Sequence, residues 1–554
     1  MRIYEAMAEA VGSLHVPVVF GLMGDGNLRF VTHLVDKVGV DYVGARHENA
    51  AVAMADGFAR VRGGLGVCTV TQGPGLTNAL TALTEAAKSG TPLLLVAGDT
   101  PTNALHHNQD IDQRAVVDAL RIATHRVRGP ATARADIHAA ARRAAVESRP
   151  VVVSVPTDVQ ELDLTADRAP TGFPPVTAAL PEAPAVAAAA DLLSGCERPL
   201  IVAGRGAVRA GAGPAIRALA ARIGALLSTT APAKGLFSGD PFAVGIAGGF
   251  ATRLGAELMA RADVVLAFGA SLNDWTTRAG GLYPASARVV HCDVNQAAIG
   301  ALARADLALV GDAAASAAAL VAELSARDHT RTGFRTPDVA RTLGRHRPRD
   351  EIEDGAGDSG RCDPRLVMLA LDDVLPLERT VAVDSGHFMG FPSTFLRVPD
   401  AAGWVFAQGF QSVGLGLGNA IGACLARPDR AAVLVVGDGG LMMALGDLET
   451  AVRRRVPLLV VVLNDAAFGA EVHALHALGL PTGHAHFGDP DFAAIAAALG
   501  ARSATVREAG DLDQIRSWLA EPDGPFVVDC KVDVSVRGEW LEEAFGSAGW
   551  LRRH

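Results

Sequence analysis

Two carboxylates stand where this chain could hold a metal-bound anion. The run AAVLVVGDGG, residues 431–440, is an apolar strand ending in Gly437, Asp438, Gly439 and Gly440. A helical stretch, LMMALGDLETAVRRR, follows, and a second apolar strand, PLLVVVLND, ends at Asn464-Asp465. Asp438 and Asp465 are therefore expected at the C-terminal ends of two parallel strands, the edge where open α/β sheets bind ligands. Glycine beside Asp438 lets a ligand approach the backbone, and the helix N-terminus that follows favours an anion. Two such oxygen donors suit Mg²⁺, a hard ion that shares its ligands with phosphates. GDG alone also fits an ordinary turn with solvated aspartates; the second strand with its own terminal carboxylate argues for the metal.

Other groups of chemistry-bearing residues lie far from this pair. Glu48 opens a predicted helix in ARHENAAVAMADGFARVRGGLGV, residues 45–67, where by itself it answers the helix dipole. Asp25 lies in GDGNL (residues 24–28), and His106, His107 and Gln109 lie in HHNQDID. Glu471, His473 and His476 follow Asp465 on a predicted helix, with His476 expected on its solvated face. Acids and histidines of this kind can relay protons near neutral pH, although each also fits a rim or loop position. Gly386 and His387 occur in VAVDSGHFMGF (381–391), and Gln411 and Val413 in GFQSVGLGLGNAIGA (409–423).

The elements that must position these residues are short β-type runs alternating with longer, Ala-rich helical stretches. That alternation predicts α/β architecture with doubly wound parallel sheets. Two stretches break it: a proline-rich one from about 164 to 184, and a polar, charged one from about 327 to 362. Both read as linkers, the second long and partly mobile. Three units remain, at 1–163, 185–326 and 362–540, with 541–554 as a tail, in keeping with 554 residues at roughly 100–200 per domain. The middle unit carries RPLIVAGRGAVRAGAG, whose GRG is a weak fragment of a dinucleotide fingerprint.

Composition bounds the function. The formal net charge of −10 argues against nucleic acid or an anionic membrane as partner. The N-terminus reads as having no signal peptide, and the apolar runs are too short to span a bilayer. The six cysteines are scattered without paired metal-type spacing, as expected of a reduced, cytoplasmic protein.

GDGG followed by LND resembles the cofactor motif of thiamine-diphosphate (ThDP)-dependent enzymes, and the resemblance extends over nearly the whole chain. It implies a pyrimidine-binding domain, a central domain and a diphosphate-binding domain. It implies Mg²⁺ held by Asp438, Asp465 and the carbonyl of Ala467; Asp465 stands where Asn is frequent. Stretch 45–98 resembles the pyrimidine domain, with Glu48 matching the glutamate that hydrogen-bonds N1′ of the aminopyrimidine and promotes its imino tautomer. That match implies at least a dimer, a homodimer or homotetramer, because the glutamate serves the partner's cofactor. Gln411, through its carbonyl, and Val413, as a wedge, match the segment that holds the cofactor bent. Gly386 and His387 match a diphosphate-contacting loop. The central domain of such enzymes either binds FAD or is an empty scaffold, and both stay open here.

Within the family the chain resembles acetolactate synthases and pyruvate-decarboxylase-type enzymes. The first likeness implies decarboxylation of a 2-oxo acid with transfer of the acyl-carbanion equivalent to an acceptor carbonyl, and Gln109 and His473 are the candidate substrate contacts. The second implies protonation and release of an aldehyde, with Asp25, His106, His107 and Glu471 as proton donors. A nicotinamide-dependent dehydrogenase lacks its full fingerprint here and leaves Glu48 and Asp465 unexplained. A non-catalytic binding subunit would be expected to have lost Glu48 or Asp438.

Overall fold

The central strands of this chain, such as Gly66–Val70, Val264–Phe268 and Leu458–Asn464, are buried on both faces, as parallel strands flanked by helices must be. In the computed structural model, which describes residues 1–165, 177–352, 360–538 and 540–541, the strands form three six-stranded sheets. The first comprises β1 (Val18–Gly21), β2 (Asp41–Gly44), β3 (Gly66–Val70), β4 (Leu93–Asp99), β5 (Ala123–Arg126) and β6 (Pro150–Pro156). Its order is β2-β1-β3-β4-β6-β5. The second holds β7 (Pro199–Ala203), β8 (Leu226–Thr229), β9 (Ala243–Ile246), β10 (Val264–Phe268), β11 (Arg288–Asp293) and β12 (Leu307–Val310), ordered β12-β11-β10-β7-β8-β9. The third holds β13 (Arg379–Val383), β14 (Trp404–Phe406), β15 (Ala431–Gly437), β16 (Leu458–Asn464), β17 (Arg502–Val506) and β18 (Phe526–Lys531). It runs β14-β13-β15-β16-β18-β17. The three sheets are parallel and wound in both directions, as the alternating pattern predicts.

The first and third sheets share one winding, strand for strand. Each therefore reverses direction between β1 and β3 and between β13 and β15, and opens a crevice at the carboxyl ends of those strands. No tandem repeat is legible in the sequence, so this likeness belongs to topology alone.

Helix Glu48–Arg62 of the first unit packs on helix Gly416–Ala426 of the third, and one hydrophobic cluster runs through both. The backbones nearly touch: a Cβ at Gly422 would lie 1.9 Å from the Met54 carbonyl oxygen. Asn419 donates to the Ala53 carbonyl (2.9 Å) and to Asp56 (3.1 Å) across the contact.

The expected second linker is corrected in part. Residues Pro337–Arg345 form a helix capped by Thr336, and Phe334 and Val339 are buried against the central sheet. A short, strongly polar helix hides its few apolar contacts among charges. Positions 353–359 of that linker, and 166–176 of the first one, lie outside the described residues. Of the expected tail, Leu541 is buried in the core of the third unit, and 542–554 lie outside the described residues. No helix among the described residues is long and apolar enough to cross a membrane.

Candidate active site

The crevice between β13 and β15 is a cavity of about 390 Å³. It brings together Gly386 and His387 after β13, Gly437 through Gly440 after β15, Asp465 and Ala467 after β16, and Gln411, Val413 and Glu471. The register Gly437↔Leu463 sets Asp438 and Asp465 one residue beyond the ends of adjacent strands. Asp438 is also the first residue of helix Asp438–Ala444.

The electrostatics of this crevice ask for a cation. Burial, reinforced by Asp438, pushes the Asp465 carboxyl up to about 8. Burial pushes Asp438 up to about 6, with Asp529 and Asp489 adding to the rise. A divalent cation held by these carboxylates would remove that cost. The Ala467 N–H donates to Asp465 Oδ1 at 3.1 Å, folding the turn so that residue 467 stays beside the carboxylates. No cluster of three metal-ligating side chains occurs among the described residues. Two carboxylates alone are a donor set of the kind Mg²⁺ would take while sharing its other positions with phosphate oxygens. Gln408 Nε2 in the cavity wall and His473 Nε2 nearby are buried without hydrogen-bond partners among the described residues. The donor set and these orphaned groups fit a polar, phosphate-bearing ligand with Mg²⁺.

His387 Nε2 lies 3.7 Å from Asp465 Oδ2. Gly469 makes this approach possible, since a Cβ there would meet His387 Cε1 at 2.3 Å and Asp465 Oδ2 at 2.4 Å. The His473 ring stands edge-on to that of His387, with centroids 5.2 Å apart. Burial, then His473, pushes His387 down to about 3. Burial, then Arg537 and His476, pushes His473 down to about 4. Both are therefore held in the neutral form near pH 7. His476 is exposed on the solvated face of its helix.

Several residues that hold the cavity were not singled out from sequence. Asp384, fully buried, accepts from the N–H groups of Gly414 (2.9 Å) and Gly416 (3.1 Å), fixing the turn that carries Val413. Asn464 donates to Asp529 (2.9 Å), which pairs with Lys531 (2.9 Å) beneath the metal-type carboxylates. Trp275, reaching over from the central unit, and Trp540 form the aromatic wall, with ring centroids 5.6 Å apart. The motifs VDSGH and LND contained the first two; nothing local marked the tryptophans.

The remaining predicted residues follow the carboxyl ends of β1, β2 and β4 in the first sheet. Asp25 Oδ1 accepts from Thr71 Oγ1 (2.9 Å) and Gln72 Nε2 (2.9 Å), and Gln72 Nε2 also donates to Gln109 Oε1 (2.7 Å). The Gln109 N–H donates to His107 Nδ1 (3.2 Å), whereas His106 is exposed and turns to Asn108 (3.1 Å). Glu48, buried at the start of its helix, accepts from Asn78 Nδ2 at 3.0 Å. None of these residues lines the cavity of Asp438 and Asp465 within one chain.

Three family models match the chain in order: the thiamine pyrophosphate enzyme N-terminal TPP binding domain over residues 1–120, the central domain over 186–320, and the C-terminal TPP binding domain over 384–530. The acetolactate synthase large subunit of Parasynechococcus marenigrum (strain WH8102) is 31% identical over 83% of this chain and 75% of its own length. The chain belongs to the thiamine-diphosphate-dependent enzymes. Other members of that family are similar over more of their length. The probable acetolactate synthase large subunit of Methanocaldococcus jannaschii is 27% identical over 96% of this chain and 92% of its own. The probable 2-ketoarginine decarboxylase of Pseudomonas aeruginosa is 30% identical over 93% and 90%. For a thiamine-diphosphate-dependent enzyme, the two like-wound crevices correspond to the two TPP binding domains, one on each outer sheet.

Proposed function

We propose that this enzyme decarboxylates a 2-oxo acid with thiamine diphosphate and Mg²⁺ and transfers the remaining acyl unit to an acceptor carbonyl. The observation that carries the reading is the buried pair Asp438–Asp465, which shares one switch-point cavity with Gln411, Val413 and Glu471. Bound thiamine diphosphate supplies a nucleophilic carbon for the 2-oxo group and an electron sink for loss of CO₂. In this reading Asp438, Asp465 and the Ala467 carbonyl hold the metal, and Gly386, Gly439 and Gly440 line the wall on the diphosphate side. His387 lies on the diphosphate side. The Gln411 carbonyl and the Val413 side chain orient the rings. Glu48 shares a proton with N1′, and Trp275 and Trp540 keep water from the reacting carbon. Gln109 and His473 are the substrate contacts.

Release of an aldehyde is the second reading. The carboxyl of Glu471 in the cavity, together with Asp25, His106 and His107, favours it, because each can deliver a proton. The likeness to a probable 2-ketoarginine decarboxylase supports it as well.

Glu48 and Asp438 do not share a cavity in one chain, so the active site in this reading is completed by a second copy, as a homodimer or homotetramer. An apolar groove continuous with the cavity supports this. Met442, Met443 and Phe487 stand 44%, 62% and 53% exposed along it, beside Asp438 and Gly439. The central unit's GRG turn packs tightly on its own chain, since a Cβ at Gly204 would lie 2.2 Å from the Gly269 carbonyl oxygen, and this reading assigns the unit no step of the reaction. The six buried, unpaired cysteines fit a reducing, cytoplasmic setting.

The test is incubation with Mg²⁺, thiamine diphosphate, a panel of 2-oxo acids and an acceptor aldehyde, with NMR of all products. Acyloin or acetohydroxy-acid products support transfer. Aldehyde alone, with acceptor in excess, leaves the decarboxylase reading. No CO₂ from any 2-oxo acid overturns both.

A further inference from the structure

Glu85 is a buried carboxylate of the first unit whose partners lie in the third. Its Oε1 accepts from the Gly409 N–H at 3.0 Å and its Oε2 from the Phe410 N–H at 2.5 Å. Ser89 Oγ (2.7 Å) and Arg60 Nη2 (2.9 Å) complete its shell. Arg60 is held by Asp56 (2.7 Å) and donates to the Phe406 carbonyl at the end of β14 (3.0 Å). One ion triad thus grips the chain on both sides of Gln408. Three residues after Gln408, Gln411 adopts φ +59°, a left-handed conformation that is uncommon for a residue with a Cβ. Such strain persists only where the surroundings over-determine it. Gln408 and Gln411 both line the cavity.

We infer that Glu85, oriented by Arg60, is a positioning residue that sets segment 408–412 and so aims the Gln411 carbonyl at the aminopyrimidine of the cofactor. The inference rests on the cofactor reading of the same cavity. Glu85 touches no reacting atom. A carboxylate that receives adjacent N–H groups fixes the peptide planes between them, and charge-assisted bonds of this kind are short and strong. Loss of Glu85 frees those planes and leaves the diphosphate-side residues, Gly386 and Asp438 through Gly440, where they are.

Two variants separate positioning from a merely structural role. Glu85→Gln keeps the shape and one accepting oxygen; Glu85→Leu removes both. Amide hydrogen exchange on the cofactor-free protein should show protection at Gly409 and Phe410 falling at least tenfold in Glu85→Leu and less in Glu85→Gln. Titration calorimetry with Mg²⁺ present should show thiamine diphosphate bound at least tenfold more weakly by Glu85→Leu. Inorganic pyrophosphate, which has no aminopyrimidine, should bind both variants within about twofold of wild type. Unchanged thiamine diphosphate affinity in either folded variant overturns the inference. Equal weakening toward pyrophosphate also overturns it, because the damage is then to the whole fold. If Glu85→Leu does not fold, Glu85→Gln decides alone by the same readouts, with a loss of at least threefold confined to thiamine diphosphate. Wild type that binds no thiamine diphosphate would instead overturn the cofactor reading.

Discussion

The indole N–H of Trp540 donates to the backbone carbonyl of His387 across 3.1 Å. This bond ties residue 540 to the loop after β13, and the same indole forms part of the cavity wall with Trp275. Trp540→Phe should cost about 1 kcal/mol of stability from the lost hydrogen bond. Trp540→Ala should cost about 3–5 kcal/mol and open the wall to water. Denaturant unfolding measures the first quantity. In the Ala variant KM for the 2-oxo acid should rise tenfold or more while thiamine diphosphate affinity changes little; equal losses in both would deny the indole a place against substrate.

Asp438→Ala and Asp465→Ala should each abolish Mg²⁺-dependent binding of thiamine diphosphate. At 100 times its Kd the cofactor should stabilise the wild type by about 2.7 kcal/mol. Neither variant should show a thermal shift with cofactor and Mg²⁺. A full shift in either one removes that carboxylate from the metal site.

Glu48→Gln should bind thiamine diphosphate within about threefold of wild type and turn over slowly. The amide preserves shape and cannot share the proton. A loss of about 10²–10⁴ in kcat is expected, the usual worth of positioned proton transfer. Deuterium exchange at the cofactor's C2 in the variant measures the step directly, and a wild-type exchange rate there would refute the assignment.

Asp384 gives a pH signature. Burial, against the N–H groups of Gly414, Ser385 and Gly416, pushes its carboxyl up from 3.8 to about 6. The folded chain then holds this proton more tightly than the unfolded chain, so its contribution to stability declines as pH rises from about 4 to about 6 and is constant above that. Asp384→Asn lacks this slope. The difference in unfolding free energy between wild type and variant, both without cofactor, should change by about 1–3 kcal/mol over that window. A difference flat from pH 4 to 7 would show an ordinary carboxyl.

The parts of the site readable from sequence are those where local pattern and chemistry coincide. Asp438 and Asp465 each end an unbroken apolar run, and buried parallel strands force such runs to stop at a ligand edge. Glu85 and Trp540 were invisible for the opposite reason. Glu85 sits in a helix of ordinary composition, and its partner Phe410 is 325 residues away. Trp540 reads as the end of a domain, and its partners Trp275 and Phe250 belong to the central sheet's unit. The cluster of Gln72, Gln109 and Asp25 depends on three loops, after β1, β3 and β4, meeting at one sheet edge, a neighbourhood that strand order creates and spacing does not reveal.

Helix Glu48–Arg62 has 15 residues and so spans about 22 Å. Its first residue is Glu48, and Arg60 near its far end steadies the segment that carries Gln411. In a dimer whose sites are shared, one end of this rod serves the neighbour's cofactor and the other end its own. Packed along helix Gly416–Ala426 with almost no space between backbones, it tilts or slides only as a unit. In such a dimer a shift of this one rigid helix would be felt at both sites.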